Sequence, residues 1–557
     1  MNLNPPVRRR TVLATGTAGA AGVGLAGGVL PDPAEAAGKR YFRHGVASGD
    51  PRPTKCVIWT RVTPTAQATP GSGKGPKVTV RWEVAKDARF RKVVRRGTFS
   101  TGPHRDHTVK LDVTGLKSGR RYFYRFVYRG TRSRVGRLQT APARSASPRN
   151  LRFGVVSCAN LQAVWFSVYR HLAKRHDLDA VVHLGDYLYE YGPGEYGYGS
   201  DNVDIRRHDP AHEMVSLEDY RRRHAQYKRD PDLQDAHARF PWIVTWDDHE
   251  VTNDQWRGGA ENHDASEGDY LKRRARAHRA YDEWMPVLLD GTAELGDGTR
   301  LFRRLRFGKL AEISMLDLRT YRSEQVATPA IDPAVSNPHR TITGKVQLRW
   351  LKKSFVRKRA LWKVIGNPVM ITPVTFAQLP GELVDPVSSV TGIIPTDGAP
   401  YNVDQWDGYT HDRQEVVNFI NNHHVENALF ITGDIHSAWA CEIPNDVGSY
   451  PLSGSAGVEF VCSSVTSNNL KDITGTPSRT TSIAVEQVIM ADNPHIKHLN
   501  FDDHGFSVLD LNAKRAQMDW FVISDRADRD ATLRYQTSYV TRTGTSTVQR
   551  ADGPVAR

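Results

Sequence analysis

Four apolar, β-branched runs that each stop on metal-ligand residue types constrain this 557-residue chain more than any other feature. They read FGVVSCANLQ at 153–162, VVHLGDYLYEY at 181–191, IVTWDDHEV at 243–251 and ALFITGDIHSAWA at 428–440. Short runs of this kind, bounded by polar residues, read as buried strands. Strands that end on a thiol, carboxylates, a phenol and imidazoles can converge at one sheet edge, where open α/β architectures place their chemistry.

The chain is too long for a single core, so two or more domains are expected. Apolar residues at 39% and charged residues at 25% describe a globular protein, neither disordered nor membrane-spanning. A net charge of +15 favours anions such as phosphate esters, anionic lipid surfaces or nucleic acid. Part of the excess lies in runs at 221–223 and 272–274, expected as solvated helix faces whose summed field steers an anionic substrate. A non-enzymatic anion-binding or nucleic-acid-binding protein is the alternative of a different class. The basic residues form no recognised reader module and are not interleaved with aromatics, so no stable nucleic-acid partner is expected.

Residues 1–37 read as a leader rather than as structure. Arg8, Arg9 and Arg10 precede Thr11–Val12–Leu13, a weakly apolar Ala/Gly stretch follows, and Ala34–Glu35–Ala36 supplies a small-x-small cleavage site. That pattern fits a twin-arginine signal, which implies passage through the twin-arginine translocase and secretion of an already folded protein. Export permits disulfides, and a Cys441–Cys462 bridge is open; Cys56 reads as a buried small residue.

Residues 38–140 read as a small β-sandwich, with short β-rich runs at 56–59, 78–83 and 122–127. Leu116–Lys117–Ser118–Gly119 followed by Tyr122 resembles a tyrosine corner of immunoglobulin-like and fibronectin type III-like domains. Residues 141–149 read as a linker. From 150 to 557, strand-like runs alternate with helical ones, the signature of a layered α/β domain. Helices are expected near 162–176, 217–229, 264–285 and 344–358, strands at 309–317 and 362–366, and loops at 192–200 and 375–410, the latter Gly- and Pro-rich and functional in character.

Asp186 is the strongest single ligand candidate: a carboxylate at a strand end, after a glycine that allows close approach, can bridge two cations. Tyr189 lies three residues on, and a phenolate and the Cys158 thiolate both suit ferric iron. Asp247, Asp248 and His249 form a second cluster. Asp434 and His436 form a third, and their i, i+2 spacing on an extended strand would turn both to one face. Asn160 stands in the same relation to Cys158.

The order Cys158–x–Asn160, Gly185–Asp186–x–x–Tyr189, Asp247–Asp248–His249–Glu250, Gly433–Asp434–x–His436 resembles the alkaline phosphatase D family of calcineurin-like metallophosphoesterases. The segment from Leu316 to Arg322 is similar to another family block, and the likeness spans nearly the whole chain. The resemblance implies an α/β, four-layer fold, a β-sandwich flanked by helices, with the N-terminal sandwich attached. It implies one ferric ion on Cys158, Asp186, Tyr189 and His436. One or two calcium ions would sit nearby, on Asp186 with Asp248 and Asp434. His249 takes the place of the histidine beside the attacked phosphoryl group, and Asn367 stands where the wider fold carries a histidine.

The expected reaction is hydrolysis of phosphomonoesters and phosphodiesters by a metal-bound water or oxide, with His249 protonating the leaving alkoxide. Asn160 and Arg319 would hold phosphoryl oxygens; for Arg319 a salt bridge to Asp317 or its neighbours is the alternative. His504 either approaches the site or is a satisfied loop histidine. Action as a phospholipase D on phospholipid diesters needs the same residues. A monomer is expected.

Overall fold

The computed structural model describes residues 40–162, 164–196, 205–289, 300–327, 333–357, 359–375, 400 and 402–556. The leader, part of the 192–200 loop and most of the 375–410 loop lie outside the described residues.

Two sheets stack face to face. In the first, Asn150–Val156, Ala180–His183, Pro241–Val244 and Val46–Arg52 run parallel, flanked by antiparallel strands from the C-terminal and N-terminal regions. In the second, Ala311–Met315, Trp362–Asn367, Ala428–Thr432 and Ser455–Val461 run parallel, with antiparallel strands at both edges. Their apolar character follows from burial on both faces. Phe153, Val155, Val182 and Ile243 of one sheet meet Ile313, Val364, Leu429 and Ile431 of the other.

The alternate residues face outward. Val181, Trp242 and Val244 pack on Tyr169, Tyr227 and Tyr281 of the helices Ser167–Ala173, Leu217–Tyr227 and Tyr270–Trp284. Ile365 and Phe430 pack on Leu351 and Val416 of the helices Lys345–Phe355 and Thr410–Asn422. The result is the expected order of helix, sheet, sheet, helix. The helices start where their caps dictate: Ser216 and Asp219 form a reciprocal capping box, and Asp269 accepts the Lys272 N–H at 3.0 Å.

The N-terminal sandwich is present, and the Tyr122 hydroxyl accepts the Lys117 N–H at 2.9 Å, as a tyrosine corner requires. One of its sheets continues the central sheet, because Val46–Arg52 pairs in parallel with Pro241–Val244. The N-terminal region therefore covers an edge strand of the site-bearing sheet.

Three expectations are corrected. The basic runs are not solvated faces: Arg221, Arg223, Arg273 and Arg274 are buried. Arg221 pairs with Glu283 at 2.7 Å and Arg273 with Glu213 at 2.5 Å, so carboxylates packed against these helices draw the guanidiniums inward. The 428–440 run is not one strand; it divides into Ala428–Thr432 and Ala438–Pro444 around the loop that carries Asp434 and His436. All four cysteines are free and buried. Cys441 and Cys462 sit in cores on opposite faces of the second sheet, because Cys441 lies opposite Glu459, three residues from Cys462.

Candidate metal centre

Every expected ligand lies in a loop leaving the carboxyl end of a parallel strand. Cys158 follows Asn150–Val156, Asp186 follows Ala180–His183, and Asp247, Asp248 and His249 follow Pro241–Val244. Asp434 and His436 follow Ala428–Thr432. An isolated parallel bridge between Ser157 and Ser464 joins the two sheets at this edge.

Strand alternation does not bring Asp434 and His436 together. Both stand in the left-handed region, at φ 64° and 54°, and so do Cys158 and Asp186, at 57° and 55°. Four non-glycine residues held there in one site are stored backbone strain, which the surrounding hydrogen bonds must over-determine. Glu250 supplies part of that restraint. Its buried carboxylate accepts the N–H of Asp186 (3.2 Å), Tyr187 (2.6 Å) and Asp247 (2.9 Å). Gly185, at φ 114°, lets the second and third loops meet: a Cβ there would fall 2.5 Å from Asp247 Cβ.

Three sets of donors each lie within 4.8 Å of one another: Cys158, Asp186 and His436; Asp186, Asp248 and His249; Asp186, Asp247 and Asp434. Asp186 belongs to all three, the position a bridging carboxylate must occupy. Tyr189 Oη donates to Asp186 Oδ2 at 3.1 Å and lies 3.3 Å from His436 Nε2. His436 Nδ1 faces the Asn468 carbonyl at 2.6 Å, which fixes the tautomer and turns Nε2 towards the thiol and carboxylate. His249 Nδ1 faces Glu190 Oε2 at 2.7 Å, leaving Nε2 on the opposite edge of the ring.

The electrostatics favour additional positive charge at part of the cluster, while Arg319, joined by Arg322 at Asp404, already holds Asp248 and Asp404 low against their burial. Asp247, Asp248, Asp254, Asp404 and Asp434 gather around the Arg319 guanidinium, Arg322 pairs with Asp404, and Asp186 stands beside Asp247, Asp248 and Asp434. Burial and neighbouring carboxylates push Asp186 and Asp254 well above the usual carboxylate range; burial also raises Asp247, although Arg319 opposes it. Burial likewise raises the Cys158 thiol and the Tyr189 phenol, with Asp186 adding to both. Positive charge is what would ionise such a set. Among the described residues, Asp186 Oδ1 is buried without a hydrogen-bond partner, as is Asn160 Nδ2. The residues fit a resident metal. Thiolate, phenolate and imidazole suit a redox-active transition ion, and the all-carboxylate side suits a hard cation.

Arg319 is ion-paired, but not to Asp317 or its sequence neighbours as the alternative reading had it. The side chain is fully buried, with Nε 2.5 Å from Asp247, Nη1 2.7 Å from Asp404 and Nη2 3.3 Å from Asp434; Asp317 accepts only its backbone N–H. Asn367 is engaged elsewhere, between Thr432, Glu459 and Trp406. His504 is satisfied by the Ser467 carbonyl at 2.9 Å and by Asp472. Sequence reasoning gave no role to Glu190, Glu250, Asp404 or Ser467, whose Oγ donates to Tyr189 Oη at 2.6 Å. Glu190 and Glu250 lie inside the quoted motifs, but no spacing rule says which main-chain groups they meet.

Comparison with known proteins agrees with this geometry. The family model described as PhoD-like phosphatase matches residues 153–520, which hold every residue of the centre. The chain belongs to the PhoD-like phosphatase family. That family's N-terminal domain model matches residues 28–142. Alkaline phosphatase D of Bacillus subtilis (strain 168) is 37% identical over 505 residues, covering 90% of this chain and 80% of the relative. A solved structure of PhoD superposes with a TM-score of 0.82 at 33% identity, covering 94% of each chain.

Proposed function

We propose that this chain is a secreted, metal-dependent hydrolase of phosphomonoesters and phosphodiesters. The observation that carries the reading is the buried cluster in which Cys158, Asp186 and His436 share one position with Tyr189 beside them, and Asp186, Asp247 and Asp434 share a second. Cys158, Asp186, Tyr189 and His436 would hold iron, and Asp186, Asp434 and the Asp247–Asp248 pair would hold calcium. Bound there, the cations neutralise phosphoryl charge and lower the pKa of water at the site.

The protein groups divide the remaining work. His249, oriented by Glu190, stands ready to give a proton to the leaving alkoxide. Asn160 Nδ2, buried and without a partner, is a donor for a phosphoryl oxygen. Arg319 gathers the ligand carboxylates before any cation arrives, limiting their repulsion. The basic residues at 8–10 are read as a twin-arginine signal, and the enzyme as a monomer.

Elemental analysis of the purified protein, with rates on nitrophenyl phosphate, bis-nitrophenyl phosphate and phosphatidylcholine, tests this reading. Iron with calcium and turnover of the nitrophenyl esters are expected, together with visible absorption from Cys158 or Tyr189 charge transfer to ferric iron. A colourless, iron-free protein with full activity would remove iron. Turnover of phosphatidylcholine alone would make it a phospholipase D.

A further inference from the structure

At the amino ends of the second sheet's strands, away from the metal centre, two adjoining clefts of about 910 and 490 Å³ share Arg306 and Arg359. Lys309 and Lys363 open onto the larger, Arg144 and Arg304 onto the smaller. The carboxylates on the lining are Glu426 and Glu312, the latter 3.5 Å from Arg357.

Neutral groups hold three of these cations, whereas Arg52 and Lys55 on the smaller cleft pair with Asp112 behind it. Arg304 donates to Ser354 Oγ at 2.6 Å and to the Trp350 carbonyl at 2.5 Å, over the Trp350 ring. Arg306 donates to the carbonyls of Gly308 and Arg144, and Lys363 to that of Glu426. Arg144, Lys309 and Arg359 are exposed and make no side-chain ion pair among the described residues. Burial and the like charges of Arg357, Arg300 and Arg359 lower Arg304 to about 10. Guanidiniums crowded without matching carboxylates attract external anions.

We propose that this groove is an accessory site for a linear phosphate-bearing polyanion, which anchors the enzyme without entering the metal centre. The surface is concave and runs across two clefts, which suits a chain rather than a bilayer. Phe355 is buried and the exposed rings on the lining are His423, already stacked on Phe419, and His424, a smaller stacking platform than single-stranded nucleic acid uses.

The test uses long-chain inorganic polyphosphate as probe and the full chain with Arg144→Gln, Lys309→Gln and Arg359→Gln combined. Among the described residues these side chains hold no other group, so folding should survive. Binding should weaken at least tenfold near 0.1 M salt, and the slope of log affinity against log salt should fall by about two to three. Hydrolysis of nitrophenyl phosphate should be unchanged. If the variant misfolds, protection of Lys309 and Lys363 from acetylation by polyphosphate in the unmodified protein gives the same answer. Equal binding with an equal slope, or no protection, overturns the proposal. So does polyphosphate competing with nitrophenyl phosphate in place of groove binding, or anionic vesicles or oligo(dT) binding the groove where polyphosphate does not.

Discussion

Glu190 Oε2 lies 2.7 Å from His249 Nδ1, with both side chains shut away from solvent. Glu190 also accepts the Asn253 N–H at 2.7 Å and the Asn262 amide at 3.1 Å, so its own position is fixed. The imidazole thus reaches the metal centre in one orientation. Glu190→Gln should lower kcat by tenfold or more while leaving metal content unchanged. Elemental analysis beside steady-state rates checks this, and a variant with wild-type kcat would deny Glu190 an orienting role.

Asp186 is common to every ligand set in the centre. Asp186→Asn should reduce turnover by more than a thousandfold and deplete metal at both positions, with the secondary structure intact by circular dichroism. Wild-type activity in a well-folded variant would rule out a bridging carboxylate.

Glu250 accepts three buried N–H groups from two loops of the centre. Glu250→Ala orphans all three, at about 1–3 kcal/mol each. A loss of several kcal/mol in denaturant unfolding and weaker metal retention against a chelator are expected. A loss below about 1 kcal/mol would show that the loops hold themselves.

His224 is buried beside Trp284, with both ring nitrogens lacking hydrogen bonds, and burial holds its pKa well below 6.5. Below pH 6.5 the unfolded chain takes up a proton that the fold refuses, so stability falls with decreasing pH by up to about 1.4 kcal/mol per unit. His224→Phe should flatten the stability curve between pH 6 and 5 and raise stability across it. Parallel curves for the two proteins would mean that the ring ionises inside the fold.

Four free, buried cysteines predict that a thiol reagent titrates four thiols in denaturant without prior reduction. Two would mean that a bridge forms in the purified protein.

The candidate ligands were legible because each closes an apolar run, and a run of that kind has one place to be, inside a sheet. Glu190 and Glu250 were readable as motif members but not as supports, since their partners are set by loop paths. Arg319 shows the same limit. Its neighbours in sequence suggested Asp317, whereas the folded loops set it against Asp247 and Asp404, 72 and 85 residues away.

The order of residues by itself determined most of the strands, a layered α/β class and which side chains could meet a cation, because periodicity and residue chemistry are local properties; the sequence of layers came from the family resemblance. Only the tertiary structure decided that four ligands stand in left-handed backbone, that the arginine-rich helices turn inward, and that the N-terminal sandwich shares a sheet with the centre. Each of these depends on carboxylates and main-chain groups that arrive from distant parts of the chain, and local pattern carries no record of them.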